Sequence, residues 1–171
     1  MTRTEAARTL ANLLDDWIPS LHGVAARLTA GARVADVGCG HGITTVLMAQ
    51  RFPASTFHGF DYDQGSIEQA RASAAEAGVS DRVSFEVCDA AEIPALGYDL
   101  VCTFDARHDY GHPEAAARRV RECLLPGGSW MIAFGSQAGE RALRGVLSRA
   151  GFGDVRVTAG TPFHTVLQAR V

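Results

Sequence analysis

Val34-Ala35-Asp36-Val37-Gly38-Cys39-Gly40-His41-Gly42 runs into the helix-like stretch Ile43 to Arg51, and Asp61 follows 19 residues after Gly42, closing Phe57-His58-Gly59-Phe60-Asp61. The first segment reads as a short buried strand ending in three alternating glycines. Glycine lets the backbone turn tightly and approach a ligand with no Cβ in the way. The second reads as a strand closed by an acid. In a parallel sheet that acid lies at the carboxyl edge, within reach of both hydroxyls of a ribose. Together they predict an α/β domain that holds a nucleoside.

The glycine spacing decides which nucleoside. A dinucleotide fingerprint is G-x-G-x-x-G, with the helix N-terminus facing a pyrophosphate. Here the third glycine arrives one residue early, as Gly42, and Ile43 stands where the fingerprint has glycine. Asp36, just before the turn, would repel a pyrophosphate and attract a cation. The pattern Asp-x-Gly-x-Gly-x-Gly resembles the first motif of the class I S-adenosylmethionine-dependent methyltransferases, whose cofactor carries an ammonium at its methionyl end. The likeness continues in Val87-Cys88-Asp89-Ala90, Tyr98-Asp99-Leu100-Val101, Leu124-Leu125-Pro126-Gly127-Gly128 and Ala150-Gly151-Phe152, and so covers roughly residues 20 to 171. In detail it is similar to a bacterial subgroup of small-molecule methyltransferases, through Phe104-Asp105-Ala106-Arg107-His108-Asp109 and Pro162-Phe163-His164-Thr165-Val166-Leu167-Gln168-Ala169-Arg170.

The resemblance implies S-adenosyl-L-methionine as cofactor and a site residue by residue. Asp36, Gly38, Cys39, Gly40 and Gly42 would cradle the methionyl end, and Asp61 the ribose. Tyr62 would pack on the adenine face, Asp89 take the exocyclic amine and the backbone of Ala90 a ring nitrogen. Phe104 joins the set at the end of the fourth strand. For catalysis His108 is either a general base or a brace for its loop, with Asp105 and Asp109 orienting it or meeting the methionyl ammonium. Arg107 is either a contact for an acidic acceptor or a solvated loop residue. His41 contacts the cofactor carboxylate or lies on the surface; Asp63 and Ser66 read as a helix cap.

Strand-like and helix-like segments alternate along the chain, the pattern of a parallel sheet with crossover helices. Strands are expected at Val34 to Val37, Thr56 to Asp61, Val83 to Val87, Tyr98 to Phe104 and Ser129 to Phe134. Helices are expected at Ile43 to Arg51, Gln64 to Ala77, Pro113 to Leu125 and Ala138 to Ala150. Two β-rich runs, Asp154 to Thr158 and Phe163 to Ala169, close the chain; the tight Ala159-Gly160-Thr161-Pro162 link favours an antiparallel hairpin. The expected fold is a Rossmann-like three-layer αβα sandwich with a mostly parallel seven-stranded sheet. At 171 residues one globular domain is expected, with residues 1–30 a helical lid and 31–171 the cofactor-binding domain. Trp17 and Leu21 are lid residues or core anchors. Members of the subgroup carry a winged-helix-like domain ahead of this core and a helical insertion after the fifth strand; here about 30 residues precede, and Phe134 passes at once into Gly135. A thin roof is therefore expected, covered by a homodimer mate or a partner chain.

Net charge is −3 and the charges are interspersed, so no basic stripe for nucleic acid exists. All 16 basic side chains are arginine, which excludes lysine Schiff-base chemistry. Cys39, Cys88, Cys102 and Cys123 are spread without a metal-ligand or disulfide pattern, and read as small apolar residues in a reducing cytoplasm. No stretch has the apolar length of a signal peptide or membrane helix. The expected function is methylation of a small-molecule acceptor at oxygen or nitrogen. The alternative is a cofactor-binding protein without methyl transfer, either a partner-dependent subunit or an enzyme using the sulfonium for a rearrangement or cyclisation.

Overall fold

The computed structural model describes residues 11–104, 112–135, 137–161 and 164–171. In chain order the elements are α1 (residues 11–20, with a π-helical middle at Leu13–Trp17), α2 (Val24–Ala30), β1 (Arg33–Val37), α3 (Ile43–Arg51), β2 (Thr56–Asp61), α4 (Gln64–Glu76), β3 (Val83–Val87), β4 (Tyr98–Phe104), α5 (Pro113–Cys123), β5 (Leu124–Phe134), α6 (Gln137–Arg149), β6 (Asp154–Gly160) and β7 (Thr165–Arg170). The seven strands form one sheet in the order β3-β2-β1-β4-β5-β7-β6. The pairs from β3 to β5 are parallel, and β7 is antiparallel to both its neighbours. The chain order reverses between β1 and β4, so a crevice opens at their carboxyl ends, where ligands bind in open α/β sheets.

The two faces of the sheet bury different residues, because successive side chains on a strand point opposite ways. Val34, Phe57, Phe85, Leu100, Met131 and Val166 face α1 to α4, whose contribution includes Trp17, Leu28, Met48 and Ile67. Ala35, Val37, Phe60, Val101, Ile132 and Leu167 face α5 and α6, through Ala117, Val120 and Leu147. Trp17 and Leu21 are buried in the first of these cores alongside Met131 and Val166. Burying such large apolar surfaces against the sheet gives the segment 13–28 its anchor.

The main departures from the sequence reading lie at α5, β5 and β6; β6 runs on to Gly160, so Ala159 and Gly160 pair with Val166 and Thr165 instead of forming the link. α5 stops at Cys123, because Leu124 is already extended (φ −78°, ψ 139°) and buried opposite Tyr98. β5 therefore starts five residues before Ser129, and the Pro126-Gly127-Gly128 turn becomes an irregularity inside it. The ladder jumps from Tyr98–Leu124 to Leu100–Ser129, and Gly127 takes φ +75° to absorb the extra chain. The link between β3 and β4, residues 88–97, carries no helix. Ile93 pins it instead: its side chain is fully buried and its carbonyl accepts Arg119 Nε at 2.7 Å.

On the face that this link crosses, the His58 ring and the Tyr98 hydroxyl lie within hydrogen-bond distance, 3.2 Å from Nδ1. Burial, reinforced by Arg33 and opposed by Glu86, holds His58 below its ordinary value of 6.5. The folded chain thus binds fewer protons there than the unfolded one, and stability is lost as pH falls through about 6.5. The His58→Gln variant is expected to lose less thermal stability than the parent between pH 7.5 and 5.5, measured by melting in matched buffers; parallel curves would dismiss His58 as the titrating group.

Candidate active site

The carboxyl ends of β3, β2, β1 and β4 lie side by side, and the residues expected to bind the cofactor sit on them. Asp36, Gly38, Cys39, Gly40 and Gly42 follow from β1, Asp61 and Tyr62 from β2, Asp89 and Ala90 from β3, and Phe104 closes β4. The glycine turn is stapled to β2, since Gly38 and Cys39 both donate their N–H to the Phe60 carbonyl (2.8 and 3.0 Å). Gly38, Gly40 and Gly42 all have positive φ, which only glycine adopts without strain.

Their roles nonetheless divide. A Cβ on Gly42 would lie 2.6 Å from Phe85 Cζ and 2.8 Å from Ala70 Cβ, so this glycine lets α3 pack on the sheet. A Cβ on Gly40 would meet no described atom within 4 Å. That turn opens onto the crevice. Gly59, inside β2, belongs with Gly42: its Cβ would overlap Phe85 Cδ1. The role of Gly59 was not drawn from the sequence, although a lone glycine within a strand signals close approach of another group.

Asp61 is held from two sides. Its Oδ2 accepts the Gly40 N–H at 2.9 Å and its Oδ1 the Asp63 N–H at 3.0 Å. The first bond ties the carboxylate to the glycine turn and the second to the start of α4. Asp63 in turn caps α4, accepting the Ser66 N–H at 2.7 Å; that bond, more than nearby His41, holds its carboxyl below the usual range. Asp89 is exposed and accepts the Ala91 N–H at 2.8 Å, while Ala90 is buried. Tyr62, Val87 and Ile43 leave large apolar surfaces exposed around this edge. The Cys39 thiol is buried, and desolvation, with Asp36 and Asp61 adding to it, pushes it far up.

Asp36 is wholly buried. Thr44 and Thr45 both donate to its Oδ2, at 2.8 and 2.6 Å, while Oδ1 has no partner among the described residues. Burial outweighs the two hydroxyls and raises this carboxyl to about 6, with Asp61 adding to the effect. The adjacent threonines in the first turn of α3 were not singled out from the sequence. Only the folded turn shows that both reach back to the strand. The candidate catalytic residues Asp105, His108 and Asp109, with Arg107, lie outside the described residues.

Comparison with known proteins bears on this geometry. The model of a methyltransferase domain family matches residues 34–128, more than half of the chain. The 27-O-demethylrifamycin SV methyltransferase of Amycolatopsis mediterranei is 31% identical over 129 residues, covering 74% of this chain and 44% of that protein. The chain spans less than two thirds of the length of the curated relatives it matches. Among solved structures, the cyclase SpnF superposes with TM-score 0.79 at 20% identity, over 99% of this chain and 82% of that one. The magnesium protoporphyrin IX methyltransferase of Synechocystis, solved with S-adenosylmethionine bound, does so with TM-score 0.72 at 21% identity, over 98% and 80%. At such identities these two likenesses speak for the fold. The family match, the strand order with its antiparallel β7 and the open glycine turn agree, and the chain belongs to the methyltransferase family that its Asp-x-Gly-x-Gly-x-Gly motif resembles.

Proposed function

We propose that this chain is an S-adenosylmethionine-dependent methyltransferase acting on an oxygen or nitrogen of a small molecule. The observation that carries the reading is the bare Oδ1 of buried Asp36 beneath a turn left open at Gly40. A buried anion lacking a partner needs a cation, and the methionyl ammonium is one; a pyrophosphate is not. Asp36 holds that ammonium, Asp61 takes the ribose hydroxyls, and Tyr62 and Asp89 receive the adenine face and amine. Phe104 lines the methyl end. When bound, the cofactor supplies a methyl group already activated on a sulfonium. The protein's part is to align the acceptor and exclude water.

A base is needed only where the acceptor must lose a proton. His108, which follows β4 in the chain, takes that role, with Asp105 and Asp109 orienting it. The O-methylating relative from Amycolatopsis supports a hydroxyl-bearing acceptor. Because β5 ends at Phe134 and α6 begins at Gln137, no helical insertion separates them, and a second copy or a partner chain completes the roof. The four free thiols fit work in a reducing cytoplasm.

Calorimetric titration with S-adenosylmethionine and S-adenosylhomocysteine, followed by an acceptor screen, tests the reading. Binding of both ligands and methylation of one acceptor support it. Binding without any transfer would favour a regulatory or cyclising role, and binding of NADH in their place would overturn it. In an active system His108→Ala is expected to lower turnover by roughly a hundredfold with little change in cofactor affinity. Full activity would leave His108 a loop brace.

A further inference from the structure

Among the described residues Asp36 is the only carboxylate that is wholly buried, and its two oxygens are treated differently. Thr44 and Thr45 each have one hydroxyl proton to donate, and both go to Oδ2. An oxygen accepting two such bonds has no room for a proton of its own. With both hydroxyls donating to Oδ2, a proton carried by Asp36 takes Oδ1, which faces no donor among the described residues. The groups acting on this carboxylate are Asp61 from β2, the Cys39 thiol of the glycine turn and the Cys102 thiol of β4. None of them brings positive charge. Among the described residues nothing thus supplies the cation that an ionised, desolvated Asp36 requires.

We infer that Thr44 and Thr45 are positioning residues which lock one oxygen of Asp36 and present the other to the ammonium of the cofactor's amino-acid end, so that binding displaces a proton from Asp36 into solvent. The inference rests on the cofactor assignment proposed above and deepens it. The step balances: the O–H bond at Oδ1 breaks, the proton passes to buffer, and the carboxylate pairs with an ammonium already protonated. Its consequence is a cofactor affinity that depends on pH. Below about 6 the folded, empty site holds the proton and binding must expel it, so affinity falls with acidification.

The test is calorimetry of the whole chain with S-adenosylhomocysteine at pH 6 and pH 8, in buffers of different ionisation enthalpy. The paired probe is 5′-methylthioadenosine, which has no amino-acid end. Release of about half a proton per S-adenosylhomocysteine bound is expected at pH 6, almost none at pH 8, and none for methylthioadenosine at either pH. His41 is exposed on the same turn, so the measurement is repeated in His41→Gln. The double variant Thr44→Val, Thr45→Val is expected to bind S-adenosylhomocysteine at least roughly tenfold more weakly, with methylthioadenosine unaffected and proton release persisting to higher pH. Serine at both positions should restore the parent behaviour. Binding of S-adenosylhomocysteine without proton release, or equal weakening of both ligands in the double variant, overturns the inference while leaving the cofactor assignment standing. Binding of neither ligand by the parent overturns the assignment and the inference together. Should the double variant not fold, the release measured on the parent decides alone.

Discussion

Gly40→Val is expected to abolish cofactor binding in a chain that still folds, whereas Gly59→Val is expected to lower the melting temperature sharply. Gly40 lies in the turn beyond β1 and Gly59 inside the neighbouring strand β2. At Gly40 an added side chain enters open space on the ligand side and meets no described atom within 4 Å. Its backbone cost is that of a branched residue at φ +52°, roughly 1–2 kcal/mol, which a domain of this size tolerates. Gly40→Asn removes most of that cost, because asparagine visits the left-handed region readily, and should lose binding equally. At Gly59 the backbone is unstrained and the obstacle is Phe85, whose ring carbons would lie 2.3 and 2.5 Å from the new Cβ, with Cys39 Sγ at 3.0 Å. Phe85 is buried in the core and cannot swing away, so overpacking of about 3 kcal/mol or more is expected. Thermal melting and ligand titration of the three variants check both claims. Normal binding by Gly40→Val would reduce the turn to a structural feature.

Asp61→Ala is expected to weaken cofactor binding by more than roughly a hundredfold. Each hydrogen bond to a charged group contributes about 1.5–3 kcal/mol, and the proposed role gives this carboxylate two ribose hydroxyls. The same substitution removes the acceptor for the Gly40 N–H, so the turn loses its anchor to β2 at that point. Asp61→Asn separates the two effects, since its carbonyl oxygen keeps one of the backbone bonds while the charge is gone. An intermediate loss is expected from it. Unchanged affinity in Asp61→Ala, measured calorimetrically with a folded protein, would remove Asp61 from the ribose site.

Much of this architecture is legible locally. Alternation of apolar runs, with Gly78 and the capping Asp63 as punctuation, places most strands and helices within a residue or two, because propensity and capping act over a few neighbours. The turn at Pro126-Gly127-Gly128 misled that reading, as it breaks a ladder rather than preceding one; only pairing with β4 turns Leu124 into strand.

The sequence by itself determined the order of elements, the glycine turn, the acid before it and the acid that ends the next strand, since each is a chemical requirement met within one short segment. The tertiary structure alone decided what each of those residues does. Phe85, 43 and 26 residues beyond Gly42 and Gly59, makes them packing glycines, while Gly40 faces open space. Trp17 became core because distant segments reach it, the His164 ring among them at 5.6 Å. Asp36 acquired its character in the same way, from burial between β2 and β4 and from hydroxyls that α3 brings back to it. Desolvation and close packing depend on which distant segments meet, and the chain states that only once it has folded.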